Sequence, residues 1–165
     1  MVTTLPTVGD VRAVAAQVPD PELPVISIAD LGILRDVIVE PNGHVVVEIT
    51  PTYSGCPAMD TIRADVLERL RANGWSDAEV RTVLSPAWTT DWITPEGREA
   101  LREYGIAPPG PRGLQGGPVA LTLSVRCPRC GSPDTTEVSR FGSTACKSLW
   151  TCRSCLEPFD HIKAL

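Results

Sequence analysis

Apolar positions recur at helical spacing near the start of the chain. Val8, Val11, Val14, Ala15 and Val18 predict a helix over 8–18, with Thr7 as its cap and Asp10 in its first turn. Pro19, Pro21 and Pro24 then break the pattern, and DPELPVISIADLGI reads as a long loop of the functional kind. Two runs rich in Val and Ile, 33–40 and 44–50, predict strands joined at the hairpin signal Asn42-Gly43. The polar stretch TPTYSGCP leads into a helix over 57–73 whose Met59, Ile62, Val66, Leu67 and Leu70 share one face. Pro57 suits its first position and Gly74 its stop. A third strand is predicted over 78–86, and a last helix over 94–105 with Thr94 as cap and Pro95 next.

The order α-β-β-α-β-α predicts an α+β fold for residues 1–105. The segment 106–118, IAPPGPRGLQGGP, has the composition of a linker. Short strands at VALTLSV (119–125), SLWTC and PFDHIKAL predict a small β domain over 119–165. With 165 residues the chain accommodates one full domain or two small ones. It holds no run of about 18 apolar residues, so no membrane span is expected. The opening MVTTLPTVGDVRAVAAQV lacks a basic segment before an apolar one, which points to the cytoplasm, where thiols stay reduced.

Charge divides the chain unevenly. Residues 1–105 carry 16 acidic and 8 basic side chains, and residues 106–165 carry 4 and 7. Four thiolates on one Zn²⁺ bring the second part close to neutral. Such a protein is a poor partner for a polyanion, and no nucleic acid is expected.

Six cysteines carry the candidate chemistry. Cys127, Cys130, Cys152 and Cys155 form C-x2-C-x21-C-x2-C. Two residues between thiols let a tight turn aim both sulfurs at one ion, and two such knuckles supply the tetrahedral sulfur set that zinc prefers. Iron in a rubredoxin-like site is the alternative. The segment 119–165 is too small and too poor in large apolar side chains to fold unaided, so the metal is expected to be structural. Cys146 lies outside both pairs and reads either as a small buried hydrophobe or as a thiol beside Lys147.

Cys56 stands alone in its half of the chain. Placed at the start of the helix over 57–73, it is expected to have a lowered pKa. No base is visible for it: His44 begins a strand and is expected to be exposed, and His161 lies in the other part. Cysteine-nucleophile hydrolysis is therefore disfavoured.

The segments DPELPVISIADLGILRDV, TPTYSGCPAMDTI and SPAWTTDWITPEGREALREYGIAPP resemble the MIP18-like domain, also called domain of unknown function 59, of iron–sulfur cluster assembly factors. The tail with CPRCGS and FGSTACKSLWTCRSCLEPFDHIK is similar to one branch of that family, PaaD (also written PaaJ), encoded with the phenylacetyl-CoA epoxidase of phenylacetate degradation. The resemblance implies that Asp20, Glu22 and Asp30 sit beside the functional thiol Cys56, with Thr50 and Thr52 in the same loop region. It implies a transient iron–sulfur cluster at Cys56, completed by a second Cys56 in a homodimer or by client cysteines. It further implies maturation of the epoxidase complex, the iron–sulfur flavin reductase subunit above all, with no catalytic turnover of its own. A structural or regulatory subunit of that oxygenase is the alternative. Trp88 and Trp92 are expected to pack.

Overall fold

The computed structural model describes residues 5–110 and 124–165. Packing divides the chain into two units, Met1–Trp88 and Thr89–Leu165.

In the first unit, α1 (Val8–Ala15) begins in a capping box: Thr7 Oγ1 accepts from the Asp10 N–H, and the Asp10 carboxylate accepts from the Thr7 N–H. The helix stops short of the expected residue 18 because Pro19 disfavours helical backbone at the residue before it. Val18 is nonetheless fully buried. Strands β1 (Leu34–Val39) and β2 (Val45–Ile49) form the expected antiparallel hairpin, closed by the Gly43 N–H on the Glu40 carbonyl at 2.9 Å. α2 (Ala58–Ala72) follows, with Met59, Ile62, Val66 and Leu70 buried on one face. β3 (Ala78–Thr82) then pairs parallel to β2. It ends before the expected residue 86, because its partner β2 ends opposite Thr82. Among the described residues this sheet has the order β1-β2-β3. Contacts of α1 with β1, of α2 with β3 and between the two helices enclose the core. Trp88 closes the unit: it is buried and donates its indole N–H to the Leu31 carbonyl at 2.9 Å. The expected packing role for Trp88 is therefore met.

The second unit opens with a single 3₁₀ turn, Thr90–Trp92, in which Trp92 is half-buried. α3 (Pro95–Glu103) has Thr94 as N-cap, its Oγ1 accepting from the Gly97 N–H at 3.0 Å. Four strands then follow: β4 (Ile106–Ala107), β5 (Thr135–Ser139), β6 (Lys147–Cys152) and β7 (Pro158–Ile162). Their order among the described residues is β4-β7-β6-β5, with β4 parallel to β7 and the other pairs antiparallel. The division of the chain falls earlier than residue 105. Ile106 and Ala107, expected in the linker, are buried and hydrogen-bonded to β7, and α3 packs on them. The rest of the linker from 111 and the expected strand 119–125 up to residue 123 lie outside the described residues. The fold class is the expected α+β fold with a small cysteine-bearing β sheet.

Candidate functional site

Residues 19–33 form a chain of turns. The Asp20 side chain is buried and its Oδ1 accepts from the N–H groups of Glu22 and Leu23 at 2.9 and 2.8 Å. Asp30 holds a second turn: its N–H donates to Ser27 Oγ at 3.0 Å, and Ser27 Oγ donates back to its carboxylate at 2.8 Å. The segment meets the end of β2 where the Thr50 N–H donates to the Ile33 carbonyl at 2.9 Å. Thr50 is 2% exposed, and its hydroxyl has no hydrogen-bond partner among the described residues. Thr52 is half-buried.

Cys56 follows this corner. Its N–H donates to the Tyr53 carbonyl and its own carbonyl accepts from the Met59 N–H, both at 3.3 Å. Pro57 is the N-cap of α2, so Cys56 precedes the cap rather than occupying it. The thiol is half-buried. Its pKa is raised, not lowered as expected. Desolvation is the largest cause, and the charges of Glu22 and Asp20 act in the same sense. Hydrogen bonds from the Ala58 N–H and the Tyr53 side chain favour the thiolate but do not prevail. Helix position alone misjudges the sign, because burial and two carboxylates distant in sequence outweigh one helix-end N–H.

Asp20 and Glu22 thus lie close enough to Cys56 for their charges to be felt. Asp30 is tied into its own turn with Ser27. Tyr53 is a neighbour that sequence reasoning misses. Its signal is its place three residues before the cysteine, where one tight turn returns a side chain to the thiol. His44, expected to be exposed, is half-buried and hydrogen-bonded through Nδ1 to Asp77 at 2.9 Å, so it ties the start of β2 to the residue before β3.

In the second unit the four knuckle sulfurs lie within 4.8 Å of one another. Cys127 and Cys155 approach to 3.7 Å, and Cys130 and Cys152 to 3.6 Å. Tetrahedral sulfurs at about 2.3 Å from one ion stand about 3.8 Å apart, so this set fits a metal of zinc or iron size. Cys127 and Cys152 are buried in a cluster with Ala107, Val125, Trp150 and Phe159, while Cys130 and Cys155 lie toward solvent. The thiols of Cys152 and Cys155 are shifted in opposite directions. Backbone N–H groups, that of Cys155 first, bring Cys152 down to about 7. The Glu157 N–H acts to lower the Cys155 thiol, but desolvation and the neighbouring sulfurs of Cys152, Cys130 and Cys127 together push it up to about 12. Cys146 is buried, with its sulfur 3.1 Å from Thr144 Oγ1, as the bland expectation has it. His161, also buried, has its Nδ1 3.3 Å from Ser148 Oγ, and burial lowers its pKa to about 4.

No helix among the described residues is long and apolar enough to cross a membrane. A family model described as an iron-sulfur cluster assembly protein matches residues 9–82, and one described as the PaaD zinc beta ribbon domain matches residues 116–163. An Escherichia coli protein, named as a putative subunit of 1,2-phenylacetyl-CoA epoxidase, is 49% identical over 160 residues, covering 97% of this chain and 94% of that protein. An "Fe-S protein maturation auxiliary factor" of Porphyromonas gingivalis is 33% identical over 103 residues, covering 62% of this chain and 94% of its own. The crystal structure of a domain of unknown function, DUF59, from Bacillus anthracis aligns with a TM-score of 0.53 at 31% identity, over 57% of this chain and 90% of that one.

Proposed function

The chain belongs to the PaaD family, an iron–sulfur cluster assembly domain joined to a zinc ribbon, and from that premise we propose that it matures the iron–sulfur component of a phenylacetyl-CoA epoxidase in the cytoplasm without taking part in turnover. One observation carries this reading. The chain is similar over 97% of its length to a protein named as an epoxidase subunit. The first part alone accounts for nearly all of a protein named as an iron–sulfur maturation factor. General maturation chemistry joined to a ribbon suits a factor with a dedicated client, the iron–sulfur flavin reductase subunit first among them.

Cys56 is the residue that takes the cargo. The thiol is protonated at neutral pH, since burial and the two carboxylates raise its pKa. Loading therefore forms a sulfur–iron bond and releases the thiol proton. A single thiolate ligates one corner of a cluster. The other ligands come from client cysteines or from Cys56 of a second copy, and this incomplete ligation suits hand-over better than storage. Asp20 and Glu22 disfavour the bare thiolate, which helps keep the empty site protonated. Cys127, Cys130, Cys152 and Cys155 hold zinc, whose part is to tie the two knuckles together.

The test compares epoxidase made in cells with the wild-type chain, with Cys56→Ser, or without the chain. The last two are expected to yield epoxidase poor in iron and activity. Epoxidase matured with the wild-type chain is expected to turn over in vitro without it. The word "subunit" in the relative's name favours a second reading, a structural or regulatory subunit. Fully metallated epoxidase that stays inactive until this chain is added back would establish that second reading.

A further inference from the structure

The maturation factors that match only the first part of the chain have no counterpart of the ribbon: one of them is covered over 94% of its length by 62% of this chain. The ribbon, matched by its own family model over residues 116–163, is the part this chain adds to the assembly domain matched over 9–82. The ribbon also displays a largely exposed aromatic side chain. The chain has only two phenylalanines. Phe159 is buried in the core beside the knuckle cysteines, whereas Phe141 is 70% exposed.

The turn that carries Phe141 is fixed on both sides. Ser139 Oγ accepts from the Phe141 N–H at 3.2 Å and donates to the Phe141 carbonyl at 2.9 Å. The Gly142 N–H donates to the Lys147 carbonyl at 2.9 Å. A side chain at Gly142 would meet Lys147 Cβ at 3.2 Å and the Asp160 carboxylate at 3.3 Å, so the turn lies flat against its neighbours. Lys163 Nζ sits 4.8 Å from the Phe141 ring centre and donates to the Arg140 carbonyl at 3.1 Å. The Arg140 side chain is 87% exposed, and Val138, two residues before it, is 59% exposed. Here an aromatic ring stands in water with Lys163 over its face, while the Arg140 guanidinium beside it lies 3.7 Å from the Glu137 carboxylate. Exposed aromatic and cationic groups of this kind recur at interfaces, because a ring brings contact area at little entropic cost. Lys163 is in no ion pair among the described residues, and its charge favours an occupant of opposite sign.

We propose that the Phe141 turn is the surface by which the ribbon docks on a protein partner, its ring entering an apolar pocket rimmed by carboxylates. This rests on the reading above that the chain associates with epoxidase subunits, and it places the recognition in the ribbon, away from Cys56. Nucleic acid also accepts aromatic and cationic groups, but a single ring on a chain of net charge −5 suits a protein partner better.

The experiment measures association of the zinc-loaded full chain with epoxidase subunits purified from cells lacking it. Phe141→Ala is expected to weaken association by about tenfold or more, with metal content and melting temperature unchanged, and Phe141→Trp to retain it. Arg140→Glu is expected to weaken association too, and to flatten its dependence on salt. If wild type binds and Phe141→Ala binds equally well, the docking assignment falls and the maturation reading stands. If wild type does not bind at all, the association itself fails and the docking surface with it. Oligonucleotide binding that disappears in Phe141→Ala would move the turn to nucleic acid and overturn the proposal.

Discussion

At Cys56 the local sequence and the folded surroundings pull in opposite directions. The Ala58 N–H at the start of α2 stabilises a thiolate, while burial and the charges of Glu22 and Asp20 oppose it, and the opposing effects win. A thiol of raised pKa ionises little at neutral pH, so it reacts slowly with alkylating agents and the rate keeps climbing well above pH 8. Removing one of the carboxylate charges lowers the pKa and increases the thiolate fraction at fixed pH. Glu22→Gln is therefore expected to speed iodoacetamide modification of Cys56 at pH 8 by roughly two- to fivefold, the size of change that one partly screened charge produces. Peptide-resolved mass spectrometry on the zinc-loaded chain separates Cys56 from the knuckle cysteines. An unchanged rate would remove Glu22 from the electrostatics of the site. None of this is legible from TPTYSGCP alone, because burial in the folded chain is the largest effect and the carboxylates that add to it stand more than thirty residues away.

Among the elements, legibility follows how local the signal is. The hairpin at Asn42-Gly43, the caps at Thr7 and Thr94 and the face of α2 rest on neighbours in sequence, and each appears where expected. β4 is two residues long and pairs with β7 more than fifty residues later, so its Pro- and Gly-rich surroundings disguise it as linker. β5 also lies outside the expected strands, although its Thr-Thr-Glu-Val has strand composition. The two knuckles show a local rule that the sequence keeps once and breaks once. The residue after the second cysteine of each has left-handed backbone: Gly131 at φ 74° and Leu156 at φ 64°. That region costs an ordinary side chain about 1–2 kcal/mol relative to glycine, less what glycine loses in chain entropy. Among the described residues nothing lies within 4 Å of where a Gly131 side chain would begin, so the backbone cost dominates there. Gly131→Ala is expected to lower the stability of the zinc-loaded ribbon by about 1 kcal/mol. Leu156→Gly is expected to raise it by about 0.5–1 kcal/mol, since the Leu156 side chain is 77% exposed and its loss removes little packing. Thermal melts of the two variants check the pair. A destabilised Leu156→Gly would mean that the leucine packs in solution.

For the molecule as a whole, the division at Trp88 leads to an expectation that composition alone would not suggest. A cut after residue 105, at the start of the Pro/Gly-rich stretch, separates α3 from β4, on which it packs, and from Pro109 and Leu165. Leu101 is fully buried there, the Arg98 guanidinium donates to the Pro109 and Thr90 carbonyls at 2.7 and 2.8 Å, and the Thr90 N–H donates to the Leu165 carbonyl at 3.2 Å. A chain ending at Trp88 keeps the sheet β1-β2-β3, both its helices and the indole bond to Leu31. The two truncated chains are therefore expected to melt at the same temperature. In the longer one trypsin is expected to cleave rapidly after Arg98 and Arg102, sites that the helix protects in the full chain. In the full chain, a strong chelator is expected to unfold the second unit and leave the first intact, because Cys127 and Cys152 are part of the only buried cluster that holds Trp150 and Phe159 among the described residues. Trp150 lies in that cluster, so its fluorescence reports the loss, and Trp88 marks the unit that stays folded. A chain ending at Trp88 that shows no cooperative melt, while the chain ending at residue 105 does, would place α3 in the first unit's core and move the boundary back to the linker.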